Sequence, residues 1–102
     1  MADITSTNSW GELEKLHAEK QRTTLRDLFA ADENRAQDYT FDAAGLRVDV
    51  SKNLVDGDVV KQLLALAEEA DLKRKIDAMF AGEHINDTED RAVLHTALRL
   101  PA

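Results

Sequence analysis

Three histidines, His17, His84 and His95, are the first candidates for chemistry. Imidazole is the commonest metal ligand and a general base near neutral pH. Zinc needs ligands that converge within about 2 Å of the ion. The chain has no His-x-x-x-His pair, and no two histidines fall on adjacent turns of one helix, so no metal ligand is assigned. Carboxylates are paired at Asp32-Glu33, Glu68-Glu69 and Glu89-Asp90. Acid–base work by two carboxyls needs environments that push their pKa values apart. Neighbours on a helix point about 100° apart and are usually both wet, so these pairs read as solvated. Ser51 beside Lys52 suggests an activated nucleophile only if the two side chains meet. Successive strand residues face opposite ways, and a polar strand exit is the plainer reading. Arg91, His95 and Arg99 share i, i+4, i+8 spacing and would form one basic stripe on a helix. Such a stripe can hold an anion or pair with carboxylates of a neighbouring helix, and structural ion pairs are favoured. No Gly-rich phosphate cradle accompanies it. The residues therefore yield no catalytic, cofactor-binding or metal site.

Composition narrows the class. The 102 residues fit one domain or a piece of one. Hydrophobic residues make up 43% and charged residues 32%, an ordinary globular balance and not that of a disordered tail. The formal net charge of −7 repels phosphate backbones and argues against nucleic acid as a partner. Without cysteine there is no disulfide, thiol nucleophile or cysteine zinc site. The start of the chain lacks the basic and apolar runs of a signal peptide, and no apolar stretch approaches the ~20 residues of a membrane span. The expectation is a cytoplasmic protein without membrane contact.

One Pro and four Gly leave room for helices. Residues 1–8 are polar and expected to be flexible. Ser9 and Glu12 read as a capping box, followed by a stripe of Trp10, Leu13, Leu16 and His17 on a helix ending near Lys20. A second helix starts near Thr23 or Thr24 and carries Leu25, Leu28 and Phe29, with a further turn over 32–37. The period then changes to two. Tyr39, Phe41 and Ala43 precede Ala44-Gly45, and Leu46, Val48 and Val50 follow, which predicts a β-hairpin. Helical spacing returns with Val59, Val60, Leu63, Leu64 and Ala67, and again with Leu72, Ile76, Met79 and Phe80, with Gly82 placed to cap. Asn86-Asp87-Thr88 predicts a last helix, with Ala92, Val93, Leu94, Ala97 and Leu98 on its buried side and its end near Leu100.

Two stretches carry more than periodicity. They are Val48-Asp49-Val50-Ser51-Lys52-Asn53-Leu54 and the run from Met79-Phe80-Ala81-Gly82-Glu83-His84-Ile85-Asn86 through Thr88-Glu89-Asp90-Arg91-Ala92-Val93-Leu94-His95 to Ala97-Leu98-Arg99. Both resemble the N-terminal region of glucose-6-phosphate isomerases. Leu28-Phe29, Asp32 and Arg35 fall where that family has a Leu-Phe-x-x-Asp-x-x-Arg pattern. Val50 departs from it, since the family usually has Tyr there.

The resemblance implies the interconversion of glucose 6-phosphate and fructose 6-phosphate, in glycolysis and gluconeogenesis, without metal or organic cofactor. In the family, His and Lys assist ring opening, a Glu moves a proton between C2 and C1, and an Arg stabilises the enediolate. Those residues and the Ser/Thr-rich phosphate loops lie beyond the position of Arg99 in the family. Ser51, Lys52, Arg91 and His95 fall on its scaffold. The expected fold is mainly α with one short β-hairpin, the N-terminal part of a larger α/β sandwich isomerase of the SIS type. Residues 1–8 would be a flexible N-terminus and 9–102 an incomplete helical segment, with the match breaking off at Pro101-Ala102. The implied partners are the rest of the isomerase chain, a second subunit in a homodimer, and a sugar phosphate bound by the full enzyme only. The segment alone would be inactive. A stand-alone acidic helical interaction module is the alternative.

Overall fold

A computed structural model of the chain describes residues 3–86 and 88–101. Two compact units divide it: residues 12–63, and residues 1–11 together with 64–102. Helix α1 (Asn8–Glu19) and helix α4 (Gly57–Glu69) contribute residues to both.

The 12–63 unit holds α2 (Leu25–Ala31), the single turn α3 (Arg35–Asp38) and the hairpin β1 (Thr40–Ala43) with β2 (Leu46–Asp49). Thr24 caps α2 in a reciprocal box with Asp27, each backbone amide donating to the other's side chain at 3.1–3.2 Å. The predicted hairpin forms. Its antiparallel register pairs Thr40 with Asp49, Phe41 with Val48, Asp42 with Arg47, and Ala43 with Leu46. Ala44 and Gly45 make the two-residue turn at φ 52° and 78°. Positive φ at both positions is the type I′ geometry that matches strand twist. Asp56 caps α4, accepting from the Val59 amide at 3.0 Å.

The other unit opens with a 3-10 turn at Ile4–Ser6, whose cap is Asp3 accepting from the Thr5 amide at 2.9 Å. The helix that follows starts one residue before Ser9, so the proposed capping box does not form. Thr7 takes the capping place, its hydroxyl accepting from Trp10 N–H at 3.2 Å. Ser9 lies inside the first turn, only 3% exposed, and its free amide donates to Glu69 Oε2 at 3.2 Å. Glu12 pairs instead with Lys15, one turn on. Helix α5 (Leu72–Phe80) ends as predicted. Gly82 has φ 77°, and the Glu83 amide returns to the Ala78 carbonyl at 3.0 Å.

The predicted last helix does not form. Asn86 and Arg91 make an isolated antiparallel bridge, with N–H···O distances of 3.0 and 3.2 Å. The Asn86 side-chain oxygen accepts from the Thr88 hydroxyl at 2.9 Å and from the Glu89 amide at 3.3 Å. These local bonds close a turn where the sequence offered a cap, the usual competition between Asn side chains and helix. Asp87, part of the proposed cap, lies outside the described residues. Only a short 3-10 helix follows, His95–Arg99. Its apolar residues find little cover, with Leu98 87% exposed. A helix in water depends mostly on burying its apolar face, so the α form has little to hold it here.

Hydrophobic burial is thin throughout. Among the described residues, Ala78 alone is a buried hydrophobic. Phe29, Phe41, Leu46, Leu64, Leu72 and Phe80 are all exposed.

Candidate functional site

A buried polar site lies in the 12–63 unit, around Arg35. Its side chain is 2% exposed, and the neighbouring Ser51 is 1% exposed. The first turn of α3 sends the guanidinium toward the chain leaving β2. There Nε donates to the Ser51 carbonyl and Nη2 to the Asn53 carbonyl, both at 2.9 Å. The cation also sits 4.3 Å from the Tyr39 ring centroid and 5.5 Å from that of Phe29. Such stacking is favourable when the charge is desolvated. The Ser51 amide donates to Asp49 Oδ1 at 2.8 Å. The Ser51 hydroxyl and then that amide hold the Asp49 carboxyl below its ordinary range.

This arrangement fixes a bend in the chain leaving β2. Arg35 gives Nε and Nη2 to carbonyls and is 2% exposed, so its charge is turned inward onto backbone and not toward an anionic ligand in solvent. Ser51 is buried inside the bend while Lys52 is exposed, so the pair does not form a nucleophile and base. Sequence reasoning noted Arg35 only as part of a family pattern. Its clamp could have been suspected from Tyr39, four residues on along a helical turn, but the carbonyl partners are set by the fold.

A second polar feature of this unit is the ion pair of Lys20 and Asp56, with Nζ 2.6 Å from Oδ2. The bond to Asp56 raises the Lys20 pKa. Burial pushes the Asp56 carboxyl up, but the Lys20 ammonium and the Val59 amide outweigh it and hold the pKa below its ordinary value. Lys20 borders a depression of about 310 Å³ floored by Leu13, Leu16, Leu54 and Val59. His17, one of the sequence candidates, lies on its wall, and with Lys20 engaged by Asp56 the lining brings no carboxylate or hydroxyl to it.

The remaining sequence candidates lie apart. In the unit that contains them, the basic stripe breaks. Arg91 belongs to the bridge, while His95 and Arg99 are on the 3-10 helix, where three residues make a turn. Arg91 is exposed and 3.8 Å from Glu89. His84 Nδ1 lies 3.1 Å from Asp90 Oδ1, again exposed. Among the described residues, no group of His, Asp or Glu could hold a metal ion, and no helix is long and apolar enough to cross a membrane.

The class these features define is a mainly helical chain with one antiparallel hairpin and, among the described residues, little core of its own. A family model described as phosphoglucose isomerase matches residues 49–102, more than half of the chain, and the chain belongs to that family. It is 63% identical over 102 residues to the glucose-6-phosphate isomerase of Corynebacterium glutamicum strain R, covering 100% of this chain and 19% of that relative. It is 54% identical over 101 residues to that of Rhodococcus opacus, covering 99% of this chain and 18% of the relative. The Pseudoalteromonas atlantica enzyme of the same name is 48% identical over 99 residues, or 97% of this chain and 18% of the relative. The chain thus spans about a fifth of the length of these relatives and matches their N-terminal part.

Proposed function

We propose that this chain is the N-terminal frame of a glucose-6-phosphate isomerase and carries none of the residues that perform the reaction. The full enzyme would interconvert glucose 6-phosphate and fructose 6-phosphate in the cytoplasm, without cofactor, as a homodimer of larger α/β sandwich subunits. In that setting residues 9–102 are an incomplete domain, and the sugar phosphate is bound elsewhere in the subunit. The observation that carries this reading is alignment along the whole chain with relatives of which it spans only 19%. The clamp at Arg35 supports it, because this buried polar site serves to shape backbone. Ser51, Lys52, Arg91, His95 and Arg99 are frame residues on this reading.

The bare apolar side chains count against a stand-alone interaction module. A self-sufficient domain of this size would bury far more of them. The test is an isomerase assay of the isolated 102-residue chain beside the full-length chain. Fructose 6-phosphate should form with the full-length protein and stay at background with the segment. Turnover by the segment alone, or none by the full-length chain, would sink the proposal.

A further inference from the structure

The hairpin is turned the unexpected way round. Its register puts Phe41, Ala43, Leu46 and Val48 on one face and Thr40, Asp42, Arg47 and Asp49 on the other. The polar face borders α3: the Thr40 hydroxyl donates to the Ala36 carbonyl, and Ala36, Gln37, Thr40, Arg47 and Asp49 line one shallow depression. The apolar face is bare at its centre and tip, with Phe41 52% and Leu46 67% exposed. A hairpin that buried its own core would show the reverse. Two strands with an uncovered apolar face are marginal in water, so this face needs a cover that its own unit does not supply.

We propose that the Phe41–Ala43–Leu46–Val48 face seats against an apolar surface of the remaining polypeptide of the same isomerase subunit. This rests on the reading of the chain as part of a longer isomerase. Most of the relatives' length lies outside these 102 residues, so ample chain is available to cover the face. A second copy is the weaker occupant. Four side chains fall well short of the ~800 Å² per partner that a stable dimer buries. A covalently linked surface does not pay the entropy of association and acts at a high effective concentration. The polar face then stays toward α3 and solvent, which accounts for the charged Asp42–Arg47 pair placed there.

Cysteine labelling of the full-length chain tests this directly, because these 102 residues contain no cysteine. Leu46→Cys and Arg47→Cys place a thiol on opposite faces of the hairpin. A maleimide reagent is applied to native and urea-unfolded protein, with the unsubstituted parent giving the background. Native Leu46→Cys should label at least ~100-fold more slowly than unfolded, with Arg47→Cys within about fivefold, as expected for a buried and an open site. Ala43→Cys, a smaller change on the apolar face, repeats the readout if Leu46→Cys does not fold. Fast native labelling at both apolar positions would overturn the proposal. So would protection that disappears on dilution, since that would make a second copy the cover. Isomerase turnover is measured on the same protein. Its absence beside full protection would refute the functional reading and leave the docking intact.

Discussion

Arg35 is the residue whose loss should be felt most. Its guanidinium makes two bonds at 2.9 Å in a fork and stacks on Tyr39, and Lys can reproduce neither the fork nor the planar stack. Arg35→Lys should therefore destabilise the full-length enzyme by roughly 2–3 kcal/mol, the range for charge-assisted bonds lost from a buried site. Urea denaturation checks this, and an unchanged midpoint would remove the clamp from the account. Lys20 makes a prediction about pH. Folding raises its pKa above 10.5, so its share of stability is whole below that value and fades as the pH climbs through the raised pKa. Asp56 behaves in the opposite sense. Its pKa is lowered from 3.8, so its share is whole above 3.8 and fades as the pH falls through the lowered value. Lys20→Met should move the Asp56 titration upward, read by carboxyl-carbon NMR, because burial then acts with less to oppose it. A titration left in place would mean that the ion pair does not persist in solution.

At the scale of the element, the hairpin turn is the sharpest case. Ala44 stands at φ 52°, where an L residue other than Gly, Asn or Asp pays roughly 1 kcal/mol in contacts between Cβ and backbone. Ala44→Asn keeps a side chain that suits type I′ geometry, so it should stabilise by about 0.5–1 kcal/mol. A raised urea midpoint is the expected reading, and a lowered one would mean the turn is not type I′. Elements with a local device were legible in the residues alone. The helix start near Thr24, the Ala44-Gly45 turn and the Gly82 cap each use bonds or backbone angles set within a few residues, although the Thr24–Asp27 box itself came only with the structure. The capping box at Ser9 was misplaced because Thr7 offers the same hydroxyl two residues earlier, and Glu69, sixty residues away, satisfies the Ser9 amide. The last helix was misread because an Asn-Asp-Thr cluster caps a helix and closes a turn equally well.

At the scale of the whole molecule, what matters is how little is buried. Ala78 is a small contribution to a core, and exposed Phe and Leu side chains remain on helices and hairpin alike. Burial contributes roughly 25 cal/mol for each Å² of apolar surface removed from water, so side chains left in solvent supply almost none of the stability a domain needs. The turnover assay belongs to this scale. On the proposed reading, the groups that converge at Arg35 hold a bend and do not act on substrate. A silent segment beside an active full-length chain is the outcome expected of a frame.

The amino-acid sequence by itself determined the helical spacing, the period-two hairpin, the acidic charge and the likeness to one isomerase family. All of these are local or compositional, carried by side chains within a turn or two of each other. Only the tertiary structure decided that Arg35 clamps the bend at Ser51–Asn53, that Lys20 finds Asp56, and that the hairpin shows its polar face to α3. Those facts depend on residues far apart in the chain arriving at hydrogen-bonding distance, which spacing along the chain does not encode. The basic stripe at Arg91, His95 and Arg99 shows the limit most clearly. Its regularity on an ideal helix was real, but a helix at that end of the chain had too little to bury, and three side chains in register on paper came apart in space.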